Sequence, residues 1–273
     1  MNKGAPDDAT AIQFYSEHWG LTPDGAVLRT PSSTLVPVLH QGLPAMLKIA
    51  HIAEEQIGNG LMAWWDGAGA APILAHDARA LLMQRATGLR TLHDLSRHGK
   101  DDEATLQLCL ALTQLHAPRP VPLPALTPLT QWFQDLLTID AGSYPALQHS
   151  ARTAQSLLAQ PQDECVLHGD MHHGNLLDFD ELGWLAIDPK GLYGERGFDY
   201  ANLFCNPEPG IAARAFAARL EQTTRISGLD RRRLLEWILA WSGLSSLWLL
   251  QDGEDASGRL FIGKMAAQEL CLT

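Results

Sequence analysis

The feature that most constrains this chain is a polar segment at residues 165–202, which reads CVLHGDMHHGNLLDFDELGWLAIDPKGLYGERGFDYAN. It begins with a short apolar run at 165–167, which stops at His168, Gly169 and Asp170. Side chains that carry chemistry collect in loops at the ends of strands, because a rigid scaffold positions them there. The segment therefore predicts a short buried strand that leads into a functional polar loop.

Two further apolar runs follow this loop, at 176–179 and 184–187, and the turn-forming residues 180–183 separate them. Short apolar runs on either side of such a turn predict a β-hairpin. A hairpin returns the chain to the side that it left. Asp188, at the end of the second strand, is therefore expected to lie close to Asn175 and to the polar loop before the hairpin.

The side chains of Asp170, Asn175 and Asp188 would then bring carboxylate and amide oxygens together. Magnesium prefers such oxygen ligands and keeps waters and substrate phosphates in its coordination shell. If Asn175 and Asp188 hold the metal, Asp170 is free to orient and deprotonate an attacking hydroxyl group. Phosphoryl transfer needs that role once positioning and charge neutralisation are provided. We therefore assign Asp170 as the catalytic base and Asn175 and Asp188 as metal ligands.

Two other interpretations of the histidine-rich loop remain open. The side chains of His168, Asp170, His172 and His173 are all possible transition-metal ligands, as in a metal hydrolase. That interpretation leaves the hairpin and Asp188 without a role. A purely structural loop, in which His168 bonds to the backbone and Asp170 caps a turn, also fits the local sequence.

Composition and charge exclude several classes of protein. The 273 residues, 46% hydrophobic and 19% charged, suffice for one large domain or two lobes with a well-filled core. The formal net charge of −11 argues against binding to nucleic acid or to an anionic membrane, and it favours a cationic ligand. The four cysteines show no paired spacing, so neither a zinc site nor a disulfide framework is indicated.

The sequence also predicts a cytoplasmic location. Residues 1–20 carry acidic side chains where a signal peptide needs an apolar stretch. The longest apolar run, at 238–250, contains serine and glycine and falls short of the roughly 20 residues that span a bilayer. We expect that run to be a buried helix.

The pattern of apolar residues changes from strands to helices along the chain. After a helix at 9–20, strands are predicted at 26–29, 35–40, 45–49, 71–74 and 80–85. Helices are predicted at 101–116, 131–137, 144–159, 211–226, 231–251 and 259–270, with an extended proline-rich run at 118–128. In the first of these helices, the residues expected to face inward are Leu106, Leu110, Leu112 and Leu115.

The motifs HGDMHHGN at 168–175 and IDP at 187–189 resemble the catalytic loop and the metal-binding segment of the aminoglycoside phosphotransferases. Within that family, the similarity is greatest to the streptomycin 6-kinase and hydroxyurea kinase group. The resemblance implies an α+β fold with two lobes, like that of the protein kinases. A small antiparallel sheet would form the ATP-binding lobe over residues 1–86, and a mainly helical lobe over 87–273 would carry the catalytic loop and the acceptor pocket.

The resemblance further implies which residues bind ATP. Lys48, on the third predicted strand, matches the lysine that contacts the α- and β-phosphates, and Glu55 would pair with it. Glu54 is the adjacent alternative partner, and a surface lysine at a strand end is the simpler interpretation of Lys48. At the hinge between the lobes, Gln84 and Ala86 match the segment whose backbone binds adenine.

A serine-rich loop takes the place of a glycine-rich phosphate loop in this comparison. Ser32 and Ser33 would bind phosphate oxygens there, although a plain turn between strands explains the same residues. His168 and Asp199 are implied to support the catalytic loop, with a helix N-cap as the alternative role for Asp199.

The acceptor-binding residues are specified less well. The resemblance suggests Glu195 and Trp241 as substrate contacts, with simple exposure to solvent as the alternative for Glu195. Further acids that could meet a cationic sugar, or simply end helices in solvent, are Asp252, Glu254 and Asp255.

These expectations combine into one leading hypothesis, a kinase that uses ATP and magnesium to phosphorylate a hydroxyl group of a small molecule. The expected acceptor is a cationic aminoglycoside such as streptomycin, and the enzyme would act as a monomer or homodimer without nucleic-acid or membrane partners. Alternative acceptors are hydroxyurea, an amino alcohol or a sugar. A nucleotide-binding regulator without turnover is the alternative from another class.

Overall fold

The computed structural model describes residues 8–140 and 142–272. Residues 1–7, Ala141 and Thr273 lie outside the described residues, and so do the outer ends of the two predicted lobes. The division of the chain between residues 86 and 87 stays a prediction.

An antiparallel sheet occupies the first third of the chain. Its strands are β1 (Leu21–Pro23), β2 (Leu28–Arg29), β3 (Ser33–His40), β4 (Leu43–Ala50), β5 (Ile73–His76) and β6 (Ala80–Gln84). They are ordered β1-β3-β4-β6-β5, and β2 pairs with the first residues of β3 on the same edge as β1. The predicted strands are confirmed with shifted ends. Strand β1 was not predicted, because so short a segment shows no alternation and is defined only by its pairing with β3.

Side chains alternate between the two faces of this sheet because of the β pleat. On β6, Leu82 belongs to one hydrophobic cluster with residues of α1 (Asp8–Trp19). Its neighbours Leu81 and Met83 face the other way, into a cluster that includes α2 (Ala53–Trp65) and the helical part of the chain. Helix α2 therefore packs between this face of the sheet and the helical part of the chain, which strand residues such as Leu81 and Met83 also contact.

The rest of the chain is mainly helical. Its helices are α3 (Leu92–Arg97), α4 (Asp101–Leu115), α5 (Leu129–Trp132), α6 (Gln134–Leu137), α7 (Gln148–Ala159), α8 (Gly197–Ala201), α9 (Pro209–Ser227), α10 (Arg231–Gln251) and α11 (Ser257–Glu269). Its short strands are β7 (Thr127–Pro128), β8 (Glu164–Leu167), β9 (Leu176–Asp178), β10 (Trp184–Ala186) and β11 (Leu192–Glu195). The predicted hairpin is confirmed, since β9 and β10 pair antiparallel.

The inward face of α4 differs from the prediction. Leu106 and Leu110 are exposed, whereas Leu108 is fully buried together with Leu112 and Leu115. Positions four and seven residues after Leu108 share its face of the helix, and that stripe packs against the core. The prediction was wrong for Leu106 and Leu110 because α4 is rich in leucine on both faces.

Helix α10 lies at the centre of the helical part and packs against α7, α8 and α11. Most of its side chains are buried from Leu234 to Leu247, so the expected buried helix at 238–250 is confirmed except near its end. Among the described residues, we find no helix with the length and hydropathy needed to cross a membrane.

The segment after residue 86 is tied to the β9–β10 hairpin. The Gly88 amide donates to the carbonyl of Asp178 at 3.0 Å, and a Cβ atom at Gly88 would lie 2.2 Å from the Asp178 carboxyl carbon. The Arg90 guanidinium donates to both carboxylate oxygens of Asp178, at 2.7 and 2.9 Å. The connection between the sheet and the helical part is thereby fixed to the strands that carry the predicted site.

Candidate active site

The polar residues after β8 and β10 lie side by side, as the hairpin pattern predicts. The Ile187 amide donates to the carbonyl of Asn175 at 2.9 Å, and His168 Nε2 donates to the carbonyl of Ile187 at 2.9 Å. The Lys190 amide donates to the carbonyl of His168 at 2.7 Å. These bonds hold the catalytic loop against the segment that carries Asp188.

Asp199 holds the catalytic loop through hydrogen bonds to its backbone. This carboxylate is fully buried within α8 and accepts the backbone amides of His168 and Gly169, at 2.8 and 2.7 Å. It also accepts a bond from His116 Nε2 at 2.8 Å. A fixed anion beneath two successive amides holds the loop in one conformation. This is the supporting role inferred for Asp199, and His116 is a second contributor that was not predicted.

Asp170 projects from this loop into a recess, and its side chain is 31% exposed. The Asn175 amide nitrogen donates to the Asp170 carbonyl at 2.9 Å and lies 3.4 Å from its carboxylate. Burial raises the pKa of Asp170 to about 7, and the Asp188 carboxylate adds to this effect, while Lys190 and Arg259 oppose it. A carboxyl group with a pKa near neutrality is suited to accept a proton from a hydroxyl group.

The neighbouring histidines are poorer proton acceptors. Burial lowers the pKa of His172 to about 4 and that of His173 to about 3. Burial also lowers the pKa of His168, whose ring already bonds to the Ile187 carbonyl. Asp170 is therefore the better proton acceptor in this loop.

Lys48 lies between two carboxylates in the buried centre of the site. It forms ion pairs with Glu55 of α2 and with Asp188, and the Lys48 and Glu55 side chains are each only 4% exposed. Burial alone would raise the pKa of Asp188, but Lys48 outweighs it, with help from Lys190, so that this pKa is lowered. Asp188 has φ of 59°, an uncommon backbone conformation for an aspartate and one that concentrates at functional sites.

The two adjacent glutamates of α2 serve different lysines. Glu55 pairs with Lys48, whereas Glu54 Oε1 lies 3.1 Å from Lys190 Nζ. Glu55 Oε1 is also 3.6 Å from Lys190 Nζ. Sequence reasoning treated Glu54 and Glu55 as alternatives and missed Lys190, although a lysine two residues after Asp188 in a polar loop was the available signal.

Helix α2 is packed directly against this loop. A Cβ atom at Gly58 would lie 2.1 Å from the carbonyl oxygen of Pro189, and one at Gly191 would lie 2.4 Å from Cγ2 of Ile57. Both distances are too short for any side chain, so only glycine allows this approach. The glutamates of α2 are thereby held at a fixed distance from Asp188.

Asn175 and Asp188 suit a magnesium ion. The Asn175 amide nitrogen bonds to Asp170, which leaves its amide oxygen as the atom available to a cation. Asp188 is 40% exposed, and its low pKa keeps it ionised. One carboxylate and one amide oxygen, completed by phosphates and water, form the kind of partial ligand set that magnesium accepts.

A transition-metal site of the hydrolase type is not formed by the loop histidines. Within residues 8–140 and 142–272, no group of three or more histidine, cysteine or acidic side chains is arranged to hold a metal ion.

A cavity beside Lys48 matches the predicted nucleotide site. It is lined by the hydroxyl residues Thr30, Ser32 and Ser33, by the predicted hinge residues Met83, Gln84, Arg85 and Ala86, by the apolar residues Leu35, Met46, Leu177, Phe179 and Ile187, and by Lys48, Glu55, Asp188 and Lys190. Apolar walls with polar groups at one end suit a purine base and its phosphates. Every nucleotide-binding residue predicted from the sequence lines this cavity.

The serine-rich loop is closed by its own hydrogen bonds. The Thr30 amide donates to the Ser33 carbonyl, and the Ser33 amide donates to Thr30 Oγ1, both at 2.9 Å. A phosphate contact from this loop would therefore come through the hydroxyl groups of Ser32 and Ser33 rather than through the Ser33 amide.

A second cavity, of about 780 Å³, opens on the other side of Asp170. It is lined by the acids Glu54, Asp135 and Asp170, by Trp132, Trp241 and Trp248, by Lys190 and Arg259, and by Ala53, Ile57, Thr127, Gln131, Gly169 and Ser245. Trp241 therefore lies where the sequence suggested. The residues Asp135, Trp132 and Trp248 were missed, and Asp252, Glu254 and Asp255 do not line this cavity.

The tryptophans of this cavity contact one another. The Trp248 ring packs edge-on against Trp132 and Trp241, with ring centroids 5.5 and 5.9 Å apart, and its Nε1 donates to Asp135 at 3.0 Å. The buried indole nitrogens of Trp132 and Trp241 have no hydrogen-bond partner among the described residues. Aromatic faces beside carboxylates form a suitable surface for an organic cation.

Glu195 has a different role from the predicted substrate contact. Its side chain is 2% exposed, and both of its oxygens accept bonds from Arg233, at 2.8 and 2.6 Å. It also accepts the indole nitrogen of Trp237 at 2.7 Å and the Gln162 amide at 3.0 Å. The substrate prediction is therefore wrong, because these partners enclose the carboxylate and fasten β11 to α10.

Comparison with known proteins agrees with the family that the sequence motifs resemble. Residues 18–253 match the family model of the aminoglycoside/hydroxyurea antibiotic resistance kinases. A streptomycin 3''-kinase of Klebsiella pneumoniae is 48% identical over 87% of this chain and 91% of its own length. A streptomycin 6-kinase of Streptomyces griseus is 34% identical over 87% of this chain and 81% of its own length.

Among solved structures, a ternary complex of the aminoglycoside phosphotransferase APH(4)-Ia with ADP and hygromycin B superposes with a TM-score of 0.67. The match covers 94% of this chain and 97% of the other, at 15% sequence identity. The likeness shows a shared fold, and the two-lobed α+β arrangement expected from the sequence is confirmed.

Proposed function

The chain belongs to the aminoglycoside/hydroxyurea antibiotic resistance kinase family, and we propose that it transfers the γ-phosphate of ATP to the 3''-hydroxyl group of streptomycin. The observation that carries the proposal is the position of Asp170, which lines the tryptophan-containing cavity together with Lys190, a residue that also lines the nucleotide cavity. The choice of hydroxyl group rests on the higher identity to a 3''-kinase, 48% against 34% for a 6-kinase.

In the proposed reaction, the acceptor oxygen attacks the γ-phosphorus and forms a new oxygen–phosphorus bond. The bond between that phosphorus and the β–γ bridging oxygen breaks, and ADP leaves with its electron pair. The hydroxyl proton passes to the Asp170 carboxylate, which the Asn175 amide holds in place. Lys48, fixed by Glu55, contacts the phosphates of the nucleotide.

Asn175 and Asp188 would hold magnesium beside these phosphates. When bound, the metal neutralises negative charge on the phosphate oxygens. We place the reaction in the cytoplasm, where both ATP and magnesium are supplied.

The second cavity supports a large cationic acceptor. Streptomycin carries guanidinium and methylammonium groups, which suit the carboxylate of Asp135 and the faces of the tryptophans. A volume of about 780 Å³ is within the range of sites for drug-sized ligands. Hydroxyurea is small and uncharged, so it leaves most of this cavity unfilled.

The proposal is tested by ADP release with ATP and magnesium across a panel of streptomycin, hygromycin B, hydroxyurea, choline and simple sugars. We expect strong stimulation by streptomycin and a product whose phosphorus couples to the 3'' proton in NMR spectra. A phosphate on another hydroxyl group would contradict the position. Nucleotide binding without stimulation by any member would favour another acceptor or a regulator without turnover.

Changing Asp135 to asparagine is expected to raise the KM for streptomycin about 5- to 10-fold, with little change in kcat. The reason is the loss of one charge-assisted contact of about 1 kcal/mol at a partly exposed site. Steady-state kinetics at saturating ATP measures this effect. The matched control is Asp252→Asn, an exposed acid outside the cavity, and an equal rise in KM for both variants would contradict the assignment of Asp135.

A further inference from the structure

We propose that Lys190 is a second phosphate-binding lysine, which contacts the γ-phosphate as it moves from ATP to the acceptor. The inference rests on the proposed function. Of the residues described, Lys190 alone lines both the nucleotide cavity and the tryptophan-containing cavity, which is proposed to bind the acceptor. A group in transfer between two cavities passes the side chain that they share.

The backbone of Lys190 is held against the catalytic loop by a hydrogen bond. Its amide donates to the carbonyl of His168 at 2.7 Å, and the preceding Pro189 packs against Gly58 of α2. The loop before it carries Asp188, the expected metal ligand. Lys190 therefore starts from a rigid position within the site, and only its side chain needs to move.

The side chain is held more loosely than that of Lys48. Lys190 is 22% exposed, and its Nζ lies 3.1 Å from Glu54 and 3.6 Å from Glu55. Lys48 is 4% exposed and forms close ion pairs with Glu55 and Asp188. Both lysines face two carboxylates, but the ion pairs of Lys190 are longer and its side chain is more exposed, so Lys190 can exchange part of its contact with Glu54 for a phosphate oxygen.

The chemistry of the transfer calls for a cation at this place. As the bond to the bridging oxygen breaks and the bond to the acceptor oxygen forms, negative charge stays on the phosphoryl oxygens and grows on the ADP oxygen. The Lys190 ammonium would stabilise the phosphoryl oxygens in the transition state without gaining or losing a proton. A cation placed to meet charge in the transition state acts on kcat rather than on nucleotide affinity.

A structural role makes a different prediction. If Lys190 served only to hold Glu54 and Glu55 of α2, its loss would disturb Lys48 and weaken nucleotide binding. Removing the partner charge with Glu54→Gln would then lower kcat as much as removing the lysine does. A phosphate contact predicts that Lys190→Met affects turnover far more than Glu54→Gln does.

The experiment compares Lys190→Met, Lys190→Arg and Glu54→Gln, with Lys100→Met as the control. Lys100 is an exposed lysine paired with Glu103, remote in sequence from the site. We expect Lys190→Met to lower kcat at saturating streptomycin by about 10²–10³-fold, with the Kd for ADP within about 3-fold of wild type. Lys190→Arg should recover at least about 10-fold of that loss, because it keeps the charge.

The proposal is overturned if Lys190→Met keeps kcat within about 3-fold of the wild type. It is also overturned if the fall in kcat is accompanied by an increase of the same size in the Kd for ADP. It is also overturned if Glu54→Gln loses as much kcat as Lys190→Met. Intrinsic hydrolysis of ATP by water, measured without acceptor, separates this proposal from the proposed function. If streptomycin gives no stimulation, the acceptor proposal fails, and Lys190 is judged by whether Lys190→Met lowers hydrolysis by water.

Discussion

Replacing Asp170 with asparagine is expected to lower kcat by about 10²–10⁴-fold, the usual contribution of a general base. The substitution keeps the size of the side chain and a partner for Asn175, but its amide does not accept a proton at neutral pH. The Kd for ADP should change little, because the nucleotide cavity is formed by other residues. Coupled ADP release at saturating ATP and streptomycin gives kcat, and calorimetric titration gives the Kd.

Asp163→Asn is the matched control for this variant. Asp163 is an exposed acid that pairs with Arg196 outside both cavities, so its replacement should leave kcat unchanged. A kcat for Asp170→Asn within about 10-fold of the wild type would contradict the assignment of the base. Burial and Asp188 raise the pKa of Asp170 to about 7 in the free protein, so the ionised form that accepts a proton increases as pH rises through neutrality.

Replacing Arg219 with methionine is expected to lower the free energy of unfolding by about 3–5 kcal/mol, the usual cost of breaking a buried ion pair. The Arg219 side chain is 1% exposed and joins α9 to the first turn of α4 through Asp101, with a bond of 2.8 Å from Nε. It also donates to the carbonyls of Leu203 and Asn206. Methionine fills a similar volume but leaves these acceptors without a donor. Urea denaturation followed by circular dichroism measures the loss.

An exposed arginine provides the comparison. Arg231 pairs with Glu269 on the surface, and Arg231→Met should cost less than about 1 kcal/mol. A similar small loss for Arg219→Met would contradict the structural importance of the buried pair.

The buried pair also has a predictable pH dependence. Burial would raise the pKa of Asp101, but Arg219 outweighs it and lowers that pKa. A carboxylate with a lowered pKa in the folded state stabilises the protein above its unfolded pKa, near 4, and loses this effect as the pH falls through the folded value. The difference in stability between the wild type and Arg219→Met should therefore narrow in acid.

The centre of the site was predictable from the sequence because its residues lie close to one another along the chain. The loop, hairpin and Asp188 lie within about twenty residues of each other, so turn and strand patterns were enough to bring Asp170, Asn175 and Asp188 together. Lys48 and Glu55 came from family resemblance rather than from pattern. Their ion pair joins a strand to the helix that follows it.

The acceptor side was predicted less well because its residues come from distant parts of the chain. Asp135 meets Trp248 across 113 positions, and no local pattern pairs α6 with the end of α10. Glu195 was misassigned for the same reason. Its partners Arg233 and Trp237 come from α10, so a motif around Glu195 does not reveal which way the carboxylate points.

The close approach of α2 to the Pro189–Gly191 turn has a consequence for inhibitor design. Gly58 and Gly191 leave no gap between the helix and the turn, since even a Cβ atom would overlap the opposite backbone or side chain. A compound that acts by wedging this helix outward has no crevice to enter. Drugs that restore antibiotic action against this enzyme should instead occupy the nucleotide cavity or the tryptophan-lined cavity, and one molecule that spans both would pass over Lys190.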